Sequence, residues 1–250
     1  MFKNLKGGED KMKEQFVCTV CGFNIIGHYP ANCPFCGAPQ EKYITAEECS
    51  RRYHVQSTKV NNKVSQLLSN PRLGYEHASY RIKSDDKTFL IDCPSCFDQS
   101  LEPFDTITFT HHHFLGASNL YRTYFHSEVQ INRLDTENEL AERFSFDNKF
   151  SGDFSDSGLE AYHINGHTSG FTIYVYEDIL FICDYVFLMQ NHMKFNPYGP
   201  QSKTREGAKR IAEIAKTKNI SVVCGVSYVE EYSQWCKKFE KLMGKSLTEL

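Results

Sequence analysis

Ten cysteines and ten histidines are the residues of this chain whose chemistry can be inferred most directly from their positions. Four of the cysteines form two C-x2-C pairs separated by eleven residues: Cys18, Cys21, Cys33 and Cys36. Two such pairs can place four sulfur atoms at the corners of a tetrahedron, a geometry that suits zinc or a single iron. Gly22 and Gly37 follow the pairs directly, where the backbone must turn toward positive φ. The spacing therefore predicts one metal site, and it leaves iron and zinc both open.

Residues 16–43 resemble the short rubredoxin-type domain that is attached to rubrerythrins. The matching features are an aromatic residue before the first cysteine (Phe16), C-x2-C-G, a loop containing Pro30, C-P-x-C-G and an aromatic residue after a lysine (Tyr43). The resemblance implies a single iron, held by the four cysteines, that carries one electron at a time. It favours iron over the zinc of a structural ribbon.

The histidines concentrate in the second part of the chain, where predicted strands end in histidine or aspartate. These strands cover residues 87–92, 104–110, 159–164, 171–176 and 179–183. The polar residues at or after their ends are, in chain order, Asp92, His111, His112, His113, His167 and Asp184. Because strand ends that share one edge of a sheet lie close together, we expect these side chains to converge on one site.

The elements that must hold this site are two sheets covered by helices. After the last of these strands, the pattern predicts an amphipathic helix at 203–217, a short strand at 219–223, a turn at Cys224 and Gly225, and a helix at 229–243. Strands come first and then strand and helix alternate, so we expect the helices to pack outside the sheets.

These segments resemble, in order and content, the metallo-β-lactamase superfamily. The matches are FLIDCP, ITFTHHH, INGHTSG, LFICD and VVCG. The resemblance implies an α+β fold, a four-layer αββα sandwich with metal at one edge of its two sheets. It also implies a ligand set, with Asp184 as the carboxylate that normally bridges two metals and Asp92 as a supporting acid; the implied histidine ligands are His111, His113 and His167.

The chain departs from the superfamily pattern at Leu115, Gly116 and Val226, where ligands of a second metal are expected. Leucine, glycine and valine side chains cannot bind a metal, so we expect no dinuclear site of the usual kind and no hydrolysis through a bridging hydroxide. We predict at most one metal, iron or zinc, at the histidine site, and a site without metal stays open. Asp184 and His112 are the candidate catalytic groups.

Four further thiols border the histidine site in sequence: Cys93, Cys96, Cys183 and Cys224. They are interpreted either as small apolar residues at a pocket rim or as a redox dithiol and soft ligands in the altered second site. Cys93 and Cys96 form a C-x2-C pair, and Tyr185 belongs to an aromatic cluster after the metal loops. These three residues are candidates for binding a further, unidentified cofactor.

Length and composition limit the classes of function. The 250 residues carry a net charge of −3 without a long basic run, which gives no surface for nucleic acid, and no apolar stretch is long enough for a membrane span. The first fifteen residues are polar and lack the apolar core of a signal peptide, so we expect a cytoplasmic protein with reduced thiols. The predicted organisation is a polar tail (1–15), a four-cysteine domain (16–45) and a metallo-β-lactamase-like domain (46–250).

The sequence favours an oxidoreductase in which a four-cysteine iron centre passes electrons to a remodelled, at most mononuclear, histidine-based site. Its expected partners are an electron-donor protein or reductase and a small-molecule substrate or oxidant. One alternative is a structural zinc ribbon joined to a non-catalytic, ligand-binding or sensory domain, and another is a mononuclear metallo-hydrolase. The substrate, the redox partner and the oligomeric state do not follow from the sequence.

Overall fold

The computed structural model describes residues 14–189 and 192–247, so most of the predicted polar tail lies outside the described residues. The first element is a small antiparallel sheet of β1 (Gln15–Cys18), β2 (Asn24–Ile26) and β3 (Tyr43–Thr45). Its strands lie in the order β2-β1-β3. Helix α1 (Ala46–Arg52) follows without a linker, because Thr45 ends β3 and its hydroxyl also caps the helix by accepting from Glu48 N.

The first large sheet has seven strands: β4 (His54–Lys59), β5 (Val64–Asn70), β6 (Ser79–Lys83), β7 (Thr88–Ile91), β8 (Thr106–Thr108), β9 (Glu128–Asn132) and β10 (Asn148–Phe150). Helix α2 (Ser118–Phe125) connects β8 to β9. The spatial order is β10-β9-β8-β7-β6-β5-β4. Strands β4 to β7 pair antiparallel, whereas β7 to β10 pair parallel.

The second half of the chain contains β11 (Phe154–Asp156), β12 (Leu159–His163), β13 (Thr172–Tyr176), β14 (Ile179–Cys183), β15 (Val186–Met189), β16 (His192–Phe195), α3 (Gln201–Thr217), β17 (Val222–Gly225), β18 (Val229–Glu231) and α4 (Tyr232–Leu247). Six of these strands form the second large sheet, in the order β11-β12-β13-β14-β17-β18. Strands β15 and β16 form a separate hairpin.

Apolar side chains on both faces of the second sheet explain the layers. Along β13, Ile173 and Val175 pack with α3 and α4, while Tyr174 and Tyr176 pack against residues of the first sheet. A strand that is buried on both faces belongs to an inner layer. A third apolar core joins the outer face of the first sheet to α1 and α2 through residues such as Cys49 and Tyr121. The predicted four-layer αββα sandwich of α+β class is therefore confirmed.

Two predicted elements near the C-terminus are wrong in position. The strand expected at 219–223 is Val222–Gly225, so Cys224 and Gly225 lie in β17 and form no turn. The helix expected from residue 229 begins at Tyr232, because Val229–Glu231 forms β18. The reason is tertiary: β17 hydrogen-bonds in parallel to β14, and β18 returns to pair with β17, partners that a local pattern does not reveal.

Candidate metal centres

The two cysteine pairs fold into two similar turns. Gly22 N donates to Cys18 O, and Gly37 N donates to Cys33 O, each at 2.8 Å. The two glycines have φ of +80° and +73°, a conformation that side chains other than glycine rarely adopt. In the second turn, Cys36 N also approaches the Cys33 sulfur at 3.5 Å. The turns therefore place backbone amides and cysteine sulfurs around one point.

The sulfur positions fit a tetrahedral metal. Cys18 Sγ and Cys36 Sγ are 3.8 Å apart, and Cys21 Sγ and Cys33 Sγ are 3.7 Å apart. A tetrahedron with metal–sulfur bonds of about 2.3 Å has sulfur–sulfur edges of about 3.8 Å. Hydrogen bonds among the thiols, together with burial, raise the pKa of Cys21 far above its usual range. Since four crowded thiolates require a cation, the four cysteines would hold one iron or zinc ion.

The four-cysteine module packs directly on the larger domain. Asn24 Nδ2 donates to Ser95 O at 3.1 Å, and Tyr75 N donates to Val20 O at 3.1 Å. The approach is close at Gly22, where a Cβ atom would lie 2.5 Å from Ser95 Oγ, and at Gly74, where one would lie 2.2 Å from Val20 O. Gly37 differs, since a Cβ there would meet nothing within 4 Å.

We predict that Gly22→Ala destabilises the protein more than Gly37→Ala. Both substitutions place a Cβ at positive φ, which costs about 1–2 kcal/mol. Only the first also creates a collision with the larger domain, which adds about 1–3 kcal/mol. Urea denaturation of both variants measures the difference, and equal midpoints would show that the module does not pack on Ser95 in solution.

The second cysteine turn also contacts the histidine cluster. Phe35, the residue before Cys36, places its ring centroid 5.4 Å from that of His113 and 5.0 Å from that of Phe114. Its other neighbour is Phe23 of the module, which stacks on it at 5.8 Å. Phe35 therefore links the four-cysteine module to the predicted histidine site.

The structure brings together the four donors that the superfamily resemblance implied. One nitrogen or oxygen atom from each lies within 4.8 Å of the others: His111, His113, His167 and Asp184. His111 Nε2 is 3.5 Å from Asp184 Oδ1, and His167 Nε2 is 3.6 Å from Asp184 Oδ2. His113 Nδ1 is 3.0 Å from His167 Nε2. The donors follow β8, β12 and β14, so the strand ends do converge.

Neighbouring groups orient His167 and Asp184. His167 Nδ1 lies 3.0 Å from Tyr198 O, and because a carbonyl only accepts, Nδ1 carries the proton and Nε2 presents its lone pair to the cluster. Asn196 Nδ2 donates to Asp184 Oδ2 at 2.9 Å and approaches His167 Nε2 at 3.2 Å. Sequence reasoning missed Asn196, which lies at the end of the hairpin formed by β15 and β16 and matches no motif.

Asp92 supports His111 through Thr110. Thr110 Oγ1 is 2.9 Å from both Asp92 Oδ1 and His111 Nδ1, and Thr110 N donates to the same carboxylate oxygen at 2.9 Å. Burial raises the pKa of Asp92 to about 7, although the Thr110 hydrogen bonds act in the opposite direction. The arrangement holds the His111 ring with Nε2 directed toward Asp184.

The chemistry of the cluster fits a metal ion. Burial lowers the pKa of His111 well below its usual range and that of His113 to about 2, so both imidazoles are neutral, as metal ligands must be. Within the described residues, His111 Nε2 and Asp184 Oδ1 are buried without a hydrogen-bond partner. Unpaired buried donors and acceptors that face each other are expected where a metal binds. Three imidazoles and a carboxylate would accept zinc or iron.

The second-site ligands of the usual kind are absent, as the sequence predicts. Leu115 and Val226 are buried apolar side chains. Gly116 has a φ of +52°, and a Cβ there would lie 2.3 Å from Cys93 O. The backbone therefore leaves no room for a histidine at position 116.

His112, predicted as a catalytic candidate, lies outside the donor cluster. Its Nδ1 is 2.6 Å from Asp135 Oδ1, and Thr168 Oγ1 donates to Asp135 Oδ2 at 3.3 Å. Asp135 is fully buried in a short 3-10 helix, Arg133–Glu137. The contact anchors the three consecutive histidines at 111–113 to this helix. No sequence motif indicated Asp135.

The three candidates for a further cofactor, Cys93, Cys96 and Tyr185, are not among the grouped donors. Cys93 and Cys96 are buried in the core shared with α1 and α2, and Cys96 Sγ contacts Tyr53 O at 3.2 Å. Both cysteines are free thiols. Tyr185 is buried under α3 and donates its hydroxyl to Thr204 O at 2.8 Å. The described contacts of all three are with core or backbone groups.

One residue that sequence reasoning missed approaches the cluster from the other side. His77, in the loop between β5 and β6, has Nδ1 3.5 Å from Cys183 Sγ and Nε2 3.8 Å from Asp184 Oδ2. The segment around it, PRLGYEHAS, has no ligand spacing that would reveal a metal site. The position of the His77 side chain beside the cluster depends on how this loop packs.

Comparisons with known proteins agree with this description. Residues 16–44 match the family model of the rubrerythrin, rubredoxin-like domain. Among solved structures, a metallo-β-lactamase from Pontibacter korlensis is 16% identical with a TM-score of 0.60, and the match covers 77% of this chain and 100% of that one. An archaeal metallo-β-lactamase superfamily protein from Sulfolobus tokodaii is 18% identical with a TM-score of 0.52, covering 68% and 80%. A comparison with curated proteins finds no match.

Fold and sites together define the class of this protein. It has the metallo-β-lactamase fold with a rubredoxin-like, four-cysteine module at residues 16–44. The module and the histidine–aspartate cluster each contain a group of side chains that could hold a metal ion. None of the helices in residues 14–189 and 192–247 is long and apolar enough to cross a membrane.

Proposed function

We propose that this protein is an oxidoreductase in which a four-cysteine iron centre passes electrons to the histidine-based site. The observation that carries the proposal is the position of Phe35. Phe35 precedes Cys36 in the chain, and its ring centroid lies 5.4 Å from that of His113. A single residue therefore joins the two groups of potential ligands. A structural zinc ribbon would not need this contact with the second site.

The chain's own residues determine what each site can do. Iron in a four-cysteine site supplies a one-electron ferric–ferrous couple. The module buries three of the four cysteines and leaves Cys36 exposed, which gives an electron donor access to one ligand. At the other site, Asp184, His111 and His167 are buried and His113 is half-buried. Tyr198 orients His167, and Asn196 orients Asp184. This second site would therefore react with a small molecule.

The proposal includes partners and a compartment. An electron-donor protein or reductase would approach the exposed edge at Cys36, and a small oxidant or organic substrate would react at the histidine site. All ten cysteines are free thiols, which suits the reducing cytoplasm.

The experiment that tests the proposal is an absorption spectrum of the purified protein during reduction. We expect ferric–thiolate absorption that bleaches when one electron per chain is added, with one iron per chain assigned to the four cysteines. A colourless protein with zinc in this site would overturn the electron-transfer function and favour the structural ribbon.

A further inference from the structure

Three side chains form a second group of potential ligands on the far side of Asp184. We call His77, Cys183 and Asp184 the thiol triad. One donor atom from each lies within 4.8 Å of the other two. His77 Nδ1 is 3.5 Å from Cys183 Sγ, and His77 Nε2 is 3.8 Å from Asp184 Oδ2. The superfamily motif does not include His77 or Cys183 as ligands.

The backbone directs Cys183 into this group. The pairing of β14 with β17 shifts register between Phe181 and Cys183, and Cys183 has a φ of +46°. A positive φ is costly for a residue other than glycine and is maintained only where the surroundings require it. At the end of β14, after this shift, Cys183 Sγ lies 3.5 Å from His77 Nδ1.

His77 is held against the site by the ring of Phe114. The two ring centroids are 3.3 Å apart, and the side chain of His77 is only 9% exposed. Burial lowers the pKa of His77 well below its usual range, which leaves the imidazole neutral. The loop that carries His77 also packs on the four-cysteine module, where Tyr75 N donates to Val20 O.

The separation between His77 and Cys183 suits either a hydrogen bond or the coordination of one ion, whereas the separation between His77 and Asp184 is too long for a direct hydrogen bond. The 3.8 Å between His77 Nε2 and Asp184 Oδ2 exceeds hydrogen-bond length. A tetrahedral ion has bonds of about 2.0–2.1 Å to nitrogen and about 2.3 Å to sulfur. The nitrogen and the sulfur bound to such an ion would lie about 3.5 Å apart. The distance between His77 Nδ1 and Cys183 Sγ has this value, so Nδ1 is the His77 nitrogen that would bind the ion.

We propose that His77, Cys183 and Asp184 bind a second metal ion, adjacent to the histidine cluster and sharing Asp184 with it. One sulfur, one nitrogen and one oxygen donor select a borderline-soft ion such as zinc or ferrous iron over magnesium or calcium. Asp184 has two carboxylate oxygens, and both clusters lie near them. The triad replaces the usual second-site ligands, which Leu115, Gly116 and Val226 cannot supply. Together with the histidine cluster and the four-cysteine site, it would bring the chain to three metal ions.

Zinc counting tests the proposal without reference to activity. Full-length protein is saturated with Zn²⁺, freed of excess by dialysis, and its zinc content is measured by elemental mass spectrometry. We expect three zinc ions per chain in the wild type and two in His77→Ala and in Cys183→Ala. Cys224→Ala is the matched control, because this buried thiol of the adjacent strand lies outside the described donor groups, and it should retain three.

A cobalt spectrum provides a second readout, because the wild-type band reports directly whether a thiolate binds the added ion. The wild type first receives one equivalent of zinc for the four-cysteine site, and Co²⁺ is then added. A cobalt–thiolate absorption band should appear while the zinc content stays constant, and Cys183→Ala should lack the band under the same treatment.

Two results would overturn the proposal. One is a zinc content that neither His77→Ala nor Cys183→Ala lowers. The other is a wild-type protein that gives no cobalt–thiolate band, or a band that persists in Cys183→Ala. These readouts count metals, so they are independent of whether the four-cysteine centre transfers electrons.

Discussion

Replacing Cys33 with alanine is expected to abolish the ferric–thiolate absorption and to unfold residues 16–44. Cys33 is buried, and its sulfur lies 3.7 Å from that of Cys21, so the substitution removes one of four ligands. A segment of this size is too short to fold on its own apolar core. Metal binding contributes about 10–16 kcal/mol to the folding free energy of comparable small metal domains. We expect the remaining contacts of residues 16–44 to contribute less than this amount, so the segment should unfold without the metal.

The expected result can be measured by metal analysis and limited proteolysis. Metal per chain should fall by one, and new cleavage sites should appear within 16–44, while the two large sheets stay protected. Cys49→Ala is the matched control, because Cys49 is also a buried free thiol but lies outside the described donor groups. A Cys33→Ala protein that keeps its colour would disprove the four-cysteine centre.

The double substitution His111→Ala and His113→Ala is expected to slow the reoxidation of the four-cysteine centre at least tenfold. In the proposed function the two imidazoles would bind the metal that receives the electron, and His113 is also the residue that Phe35 contacts. Since the substitutions lie outside residues 16–44, the ferric–thiolate absorption should keep its intensity. Total metal should fall by at least one ion per chain.

Stopped-flow absorption measures this effect directly. Protein reduced with dithionite is mixed with dioxygen as the test oxidant, and the return of the ferric–thiolate band gives the rate. His28→Ala combined with His54→Ala is the control, because both histidines are exposed and lie outside the described donor groups. If the cluster variant matches the wild type in rate and in metal content, electrons leave from the exposed edge at Cys36 and the histidine site has no redox role.

The four-cysteine site was predictable in full from the sequence because it is local. Its four cysteines and two glycines lie within twenty residues, and the turns are closed by hydrogen bonds between residues four apart. The histidine cluster was predictable only through motifs that a superfamily shares. Those motifs identified His111, His113, His167 and Asp184, and the structure brings the four together.

Other features depend on contacts between distant segments. The position of β17 is decided by its pairing with β14, so the local pattern predicted the strand at the wrong residues. The contact of His112 with Asp135 joins positions 23 residues apart, and His77 meets Cys183 across 106 residues. No periodicity or spacing in the chain encodes such pairs.

Residue types and short motifs were enough to predict the four-cysteine cluster, the metallo-β-lactamase fold and the apolar residues at the usual second-site positions. The contact of Phe35 with His113 and the approach of His77 to Cys183 and Asp184 are visible only in the folded chain. The physical reason is that ligand types and short turns are properties of neighbouring residues, whereas these contacts arise when the module and the loop after β5 pack on the edge of the sandwich.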